Sequence, residues 1–179
     1  MGYTRSFNKA FSHLMRLEGG YTVDTGGPTN KGITLRSLIS TNDPDFDIDH
    51  DGDIDHDDLC NLTVEKDKLY YFRYWWKKYN LDKITNESIS TKALELLVNV
   101  GPKAGSKIIQ QACNSLNFRK LKVDGIIGPK TIDRIENTDS EKLVNAIKSL
   151  QKRHYHILAE RDPKKYSMYL KGWLRRADA

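Results

Sequence analysis

Between Ser88 and Val100 the chain offers water almost no polar face. Ile89, Ala93, Leu94, Leu96, Leu97, Val98 and Val100 fall on most sides of a helix. A helix that is apolar nearly all round must be wrapped by others, so this segment predicts a buried central helix in an α-rich domain. Gly101-Pro102 stops it. The rest of the chain supplies the wrapping. Phe7, Ala10, Phe11, Leu14 and Leu17 recur at three- and four-residue spacing and predict a helix from Arg5 to Leu17, ended by Gly19-Gly20. A second strong helix is expected to open at Leu62 or Thr63, with Leu69, Phe72, Trp76 and Tyr79 along one side. Ile108, Ile109, Ala112 and Leu116 mark another. Pro129 occupies the first position of the next, after a tight turn at Val123–Gly128. Ser140 is expected to cap a long helix bearing Leu143, Ile147, Leu150 and Ile157, and Asp162-Pro163 to start a short last one. Thr34 caps a short helix, Leu35 to Ile39, and residues 21–34 read as loop with room for a small hairpin. The expected fold class is mostly α.

The 179 residues fit one domain, or a catalytic domain with a small appendage. Hydrophobic content of 38% and charged content of 30% describe a globular protein and exclude collagen, low-complexity disorder and a disulfide scaffold. Subtracting 24 acidic from 29 basic residues leaves +5, and the pI near 9.1 points to an anionic partner: nucleic acid, an acidic membrane or a wall polymer. Cys60 and Cys113 are too few for a framework and read as free thiols of a reducing compartment. No run reaches the roughly 20 apolar residues of a spanning helix, and the first residues lack the apolar core of a signal peptide. The expectation is a chain made in the cytosol, without membrane insertion, that needs help to reach any substrate outside.

Glu18 is the first candidate for chemistry. It lies four residues past Leu14 and seven past Phe11, on the apolar face, and it is the last residue before the glycine pair. Partial burial and the negative end of the helix dipole both disfavour its ionised form. A carboxyl held protonated in this way is what a general acid for glycoside cleavage requires. The alternative is a helix-end Glu turned to solvent.

Glu18-Gly19-Gly20-Tyr21, Asp24 and the stretch Gly26-Gly27-Pro28-Thr29-Asn30-Lys31-Gly32-Ile33-Thr34 resemble the start of glycoside hydrolase family 108, whose members are lysozyme-like muramidases, many of them phage endolysins. Asn99-Val100-Gly101 resembles the family's N-x-G. Asp124-Gly125 through Gly128-Pro129-Lys130-Thr131 resembles its D-G-x-x-G-P-x-T, and Gly172-Trp173-Leu174-Arg175-Arg176 its terminal G-W-L-x-R. The motifs stand in order and leave out only residues 42–60. The resemblance implies a lysozyme-like helical fold in two packed parts: a catalytic region over 1–100, carrying an insertion at 43–60, and a helical peptidoglycan-binding region over 101–179. It implies cleavage of the β-1,4 bond between N-acetylmuramic acid and N-acetylglucosamine, with Glu18 as catalytic acid. Asp24 and Thr29 then assist, by stabilising oxocarbenium-like charge or holding water, in an order the spacing leaves open. Tyr21, Asn30, Trp75 and Asn99 are the expected substrate contacts.

Asp47 to Asp58 carries metal-ligand spacing. Asp47, Asp49 and Asp51 stand at positions one, three and five of a calcium-loop pattern, Gly52 at the sharp turn, Asp53 and Asp55 at seven and nine, and Asp58 at twelve. A hard cation needs about 6–8 oxygens from such a short loop. EF-hands prefer Glu at twelve, and the shorter Asp58 resembles dockerin-type loops. A structural calcium ion that folds the insertion is the expectation; a solvated acidic turn is the alternative.

Tyr70, Tyr71, Phe72, Tyr74, Trp75, Trp76 and Tyr79 crowd one helix. Phe72 and Trp76 read as core, and the others as able to stack on sugar rings. With Lys77 and Lys78 the stripe is also the best case for single-stranded nucleic acid, which no binding motif accompanies. His13, His154 and His156 read as structural. Arg153, His154, Arg175 and Arg176 form a basic end suited to an anionic wall or to plain solvation. Glu95, inside the apolar helix, is either a second active-site carboxylate or a surface edge. The function expected is a monomeric endolysin that acts on peptidoglycan, binds no nucleic acid, and waits in the host cytoplasm for a holin to release it. A chitinase of similar chemistry and a non-catalytic wall-binding module are the rivals.

Overall fold

A computed structural model describes residues 2–17, 22–24 and 27–178, with only the backbone described at 22–24. In chain order come α1 (Arg5–Leu17), β1 (Thr22–Asp24), β2 (Gly27–Asn30), β3 (Ile33–Thr34), α2 (Leu35–Ile39), α3 (His56–Cys60), α4 (Val64–Tyr71), α5 (Glu87–Val100), α6 (Pro102–Leu116), α7 (Pro129–Glu136), α8 (Ser140–Arg161) and α9 (Pro163–Asp178). The fold is mostly α and lysozyme-like. No described helix is long and apolar enough to cross a membrane.

The apolar segment becomes α5, with Ala93, Leu94, Leu96 and Leu97 fully buried. Each buried leucine contributes about 1.5–3 kcal/mol of transfer free energy. Asn86 caps its start by accepting the N–H groups of Ser88 and Ile89. Helices α1, α6 and α8 pack around it, and α9 lies along α8. Gly101 joins α5 to α6 with φ 85°, a left-handed value that favours glycine.

The first loop holds a three-stranded antiparallel sheet in the order β1-β2-β3. Thr29 stands opposite Thr22 on one side and Thr34 on the other, and Asp24 opposite Gly27. Thr34 then caps α2 by accepting from Ser37 N–H. The acidic segment at 43–60 is not an appendage, because Phe46 and Leu59 are fully buried in the same core.

Three expectations are corrected. α4 runs into a π-helical turn at Phe72–Lys77. Trp76 is buried as expected and Leu69, Phe72 and Tyr79 pack half-buried against the core, while Tyr70 and Tyr71, just before the wider turn, are buried as well. Asp139, not Ser140, caps α8, accepting from Lys142 N–H. The last helix is 16 residues long, since Tyr166 and Trp173 give it an aromatic face that packs on Tyr155.

Candidate active site

Helix α1 ends at Leu17. Its last carbonyls have no partner within the helix. One of them, at Leu17, accepts a hydrogen bond from Arg176 Nη2 at 3.1 Å. Arg176 comes from α9, at the far end of the chain. Its Nη1 donates to Asn99 Oδ1, at the end of α5. Asn99 is held in turn, its Nδ2 donating to the Glu95 carbonyl at 2.9 Å and to Glu95 Oε1 at 2.8 Å.

Glu95 is the centre of this network and is fully buried, which rules out a surface edge. Its Oε1 also accepts from Gln151 Nε2 at 3.1 Å, and its Oε2 pairs with Lys92 Nζ at 2.8 Å. Lys92 donates to the Ala177 carbonyl at 2.9 Å, one residue past Arg176. Burial lowers the Lys92 pKa, opposed by the Glu95 charge. Burial also lowers the pKa of His13, again opposed by Glu95. Lys92 and Glu95 thus pair with each other, which is the condition on which buried charge is tolerated, while Gln151 Oε1 is buried without a hydrogen-bond partner among the described residues.

Of the predicted catalytic residues, Glu18 lies outside the described residues, as does Tyr21. Asp24 is placed by its backbone alone, at the end of β1. Thr29 is half-buried in β2, and its Oγ1 donates to the Gly27 carbonyl at 3.4 Å. Asn30 is buried and donates from Nδ2 to the Leu59 carbonyl at 2.8 Å, which ties the sheet to α3. Trp75 is half-buried between Tyr71 and Tyr79, with ring centroids 6.5 and 5.8 Å away. Cys60 is exposed and Cys113 buried, both as free thiols.

Two further structural groups carry no local signal in the sequence. Lys31 Nζ meets the buried Asp67 at 2.6 Å, and the Tyr71 hydroxyl donates to the Lys31 carbonyl at 2.8 Å. Burial raises the Asp67 pKa, opposed by the bond from Lys31. In the C-terminal part, buried Gln110 organises the turn of the D-G-x-x-G-P-x-T motif. It donates to Asp124 Oδ1 at 2.8 Å and the Ile126 carbonyl at 3.0 Å, and accepts from Gly125 N–H at 2.9 Å. The Gln110 bond, followed by that from Ile126 N–H, lowers the Asp124 pKa.

The acidic loop is wound by its own backbone. Gly52 turns at φ 104° and donates to Asp47 Oδ2 at 3.2 Å. Buried Asp58 accepts from Asp55 N–H at 2.8 Å and from Ile48 N–H at 2.5 Å. Carboxylate oxygens of Asp47, Asp49 and Asp58 lie within 4.8 Å of one another, and so do those of Asp53, Asp55 and Asp58. Asp51 is exposed and spends Oδ1 on Asp53 N–H at 3.1 Å. Asp47 Oδ1 is buried and finds no hydrogen-bond partner among the described residues. Desolvation and then the Asp51 charge raise the pKa of Asp49, and Asp51 first of all raises that of Asp53.

Residues 11–101 match the family described as Glycosyl hydrolase 108, and residues 104–178 match one described as a predicted peptidoglycan domain. No curated protein sequence matches the chain significantly. A solved structure described as that of Brucella abortus SagA is similar over 97% of this chain and 90% of its own, with 24% identity and a TM-score of 0.74.

Proposed function

The chain belongs to the glycosyl hydrolase 108 family, and from that premise we propose that it cleaves the β-1,4 bond between N-acetylmuramic acid and N-acetylglucosamine. It is a glycoside hydrolase, with peptidoglycan as the polymer its second part engages. One observation carries the finer reading. Three stretches far apart in sequence, the end of α1 before Glu18-Gly19-Gly20-Tyr21, Asn99 of N-x-G, and Arg176 of the terminal motif, meet through direct hydrogen bonds. Motifs that a merely stable helical bundle would leave scattered converge where α1 hands over to Glu18.

In this reading Glu18 is the general acid and protonates the glycosidic oxygen as the bond breaks. Asp24 and Thr29, carried by the adjoining sheet, assist by charge stabilisation or by holding water. Trp75 and Tyr21 would carry sugar contacts. The endolysin role, monomeric action and holin-dependent release from a host cytoplasm belong to the same proposal. Glu18→Gln keeps the shape but has no proton to give. It should lower lysis of purified walls by at least about a hundredfold while wall binding persists. Near-normal lysis by that variant would remove Glu18 from the chemistry. Sugar release from chitin at a rate matching wall lysis would favour the chitinase reading.

A second reading concerns the acidic loop: residues Asp47, Asp49, Asp51, Asp53, Asp55 and Asp58 hold calcium in a structural role. The unpartnered Asp47 Oδ1 and the all-oxygen donor set favour it, since a hard cation would satisfy the one and neutralise the other. Asp58, already committed to two backbone N–H groups, would act as the closing arm. Calorimetric titration with calcium tests it, and no binding at millimolar concentration would exclude the site.

A further inference from the structure

We propose that Arg176 is a positioning residue for glycosidic cleavage, so that α9 completes the catalytic site as well as belonging to the wall-binding part. The proposal rests on the reading of Glu18 as the acid.

Arg176 lies within the region matched to a peptidoglycan domain, yet its guanidinium is turned inward. One nitrogen donates to the Leu17 carbonyl and another to Asn99 Oδ1. Both acceptors belong to the first part of the chain. Its neighbour Arg175 is exposed, so a role confined to attracting anionic polymer is already available one residue away. The planar fork of an arginine can bridge two acceptors at fixed angles, which a single ammonium cannot.

Its surroundings hold the fork still. On one side Asn99 is pinned by Glu95, and Glu95 by Gln151 and Lys92. On the other, Lys92 grips the Ala177 carbonyl, next to Arg176 in the chain. The circuit closes on itself through α5, α8 and α9. What it fixes is the last carbonyl of α1, the peptide group from which Glu18 follows directly. The guanidinium also offsets the negative end of the α1 dipole. A small displacement of a catalytic group is expensive, about a hundredfold in rate for about 1 Å. A clamp on the peptide before the acid therefore acts on turnover more than on affinity.

The test uses the full-length protein and soluble, uncross-linked glycan strands, so that kcat and KM are measured separately, with wall pull-down and melting temperature alongside. Arg176→Gln should lower kcat about ten- to a hundredfold while KM and wall retention stay within about twofold. Arg176→Lys should recover only part of the loss, because it can reach one acceptor at a time. Asn99→Ala, which leaves the Leu17 contact, should fall between wild type and Arg176→Gln. If Arg176→Gln melts below the assay temperature, Arg176→Lys decides by the same kcat-against-KM criterion. Unchanged kcat, or a raised KM alone, with Glu18→Gln inactive, overturns the positioning role and leaves the Glu18 reading standing. An active Glu18→Gln overturns both.

Discussion

Two clusters of charge sit on opposite terms in this molecule. The network of Lys92, Glu95, Asn99, Gln151 and Arg176 is largely buried, of mixed sign, and linked through its own side chains and nearby carbonyls. The loop from Asp47 to Asp58 is largely exposed, of one sign apart from its histidines, and held by backbone N–H groups that neutralise nothing. The first ties α5 to α8 and α9. The second is a folded shape whose carboxylates crowd one another. The difference is whether opposite charge is supplied from within: Lys92 supplies it to Glu95, and no lysine or arginine supplies it to the described carboxylates of the loop.

Removing a partner from the buried network should have the largest effect. Glu95→Ala leaves Lys92 buried without its counter-charge and should cost about 3–5 kcal/mol of stability in denaturant unfolding. Pairing Lys92→Met with Glu95→Gln removes both charges while keeping an acceptor for Asn99 and Gln151, and should recover most of that loss. A double variant as unstable as Glu95→Ala would show that the ion pair is not the source.

The loop should respond to solution conditions where the buried network does not. Calcium at a hundred times its Kd should stabilise the fold by about 2.7 kcal/mol, read as a rise in melting temperature. Asp49→Ala with Asp51→Ala should abolish the rise. A calcium response of equal size in that variant would place the ion elsewhere.

Cys113 sharpens the comparison from the side of burial that outweighs a nearby charge, that of Arg134. Its thiol is fully buried, and burial pushes its pKa up to about 11 from the usual 9.0. The unfolded chain ionises first, so folding stability is intact below pH 9 and is lost as pH rises toward 11. Relative to Cys113→Ala, wild type should lose about 2 kcal/mol across that window. A constant difference between the two proteins would contradict the assignment. The smallest effect is expected at Arg73, which bridges Asp43 at 2.7 Å and Asp45 at 2.5 Å on the flank of the acidic loop. The Asp43 pKa is lowered because bonds from Tyr74, Asp45 N–H and Arg73 outweigh its desolvation. Arg73 is substantially exposed, and Arg73→Ala should cost about 1 kcal/mol or less.

The parts of the fold written locally were readable in the sequence. The burial of α5, the apolar face of α1, the Thr34 cap, Pro129 at a helix start and the turn at Gly52 each follow from spacing within a few residues. The π-helical turn was not readable, because nothing in Phe72–Lys77 marks the wider winding. The circuit around Glu95 was hidden for another reason. Lys92 stands three residues before it, but Gln151 is 56 residues away, and Arg176 lies 77 residues beyond Asn99. Whether a glutamate on an apolar helix is a surface edge or a buried hub depends on what a distant helix brings to it. Gln110 was passed over similarly, since a glutamine on a helix shows its meaning only when a turn 14 residues on folds over it.

In the reading proposed above, the chain cuts the glycan backbone of peptidoglycan at the muramic acid side, using Glu18 as its acid. Mass spectrometry of purified peptidoglycan, digested by wild type and by Glu18→Gln in parallel, tests it most directly. Wild type should give fragments with N-acetylmuramic acid at the reducing end, and the variant almost none. Reducing-end N-acetylglucosamine, freed stem peptides, or equal products from both proteins would contradict it.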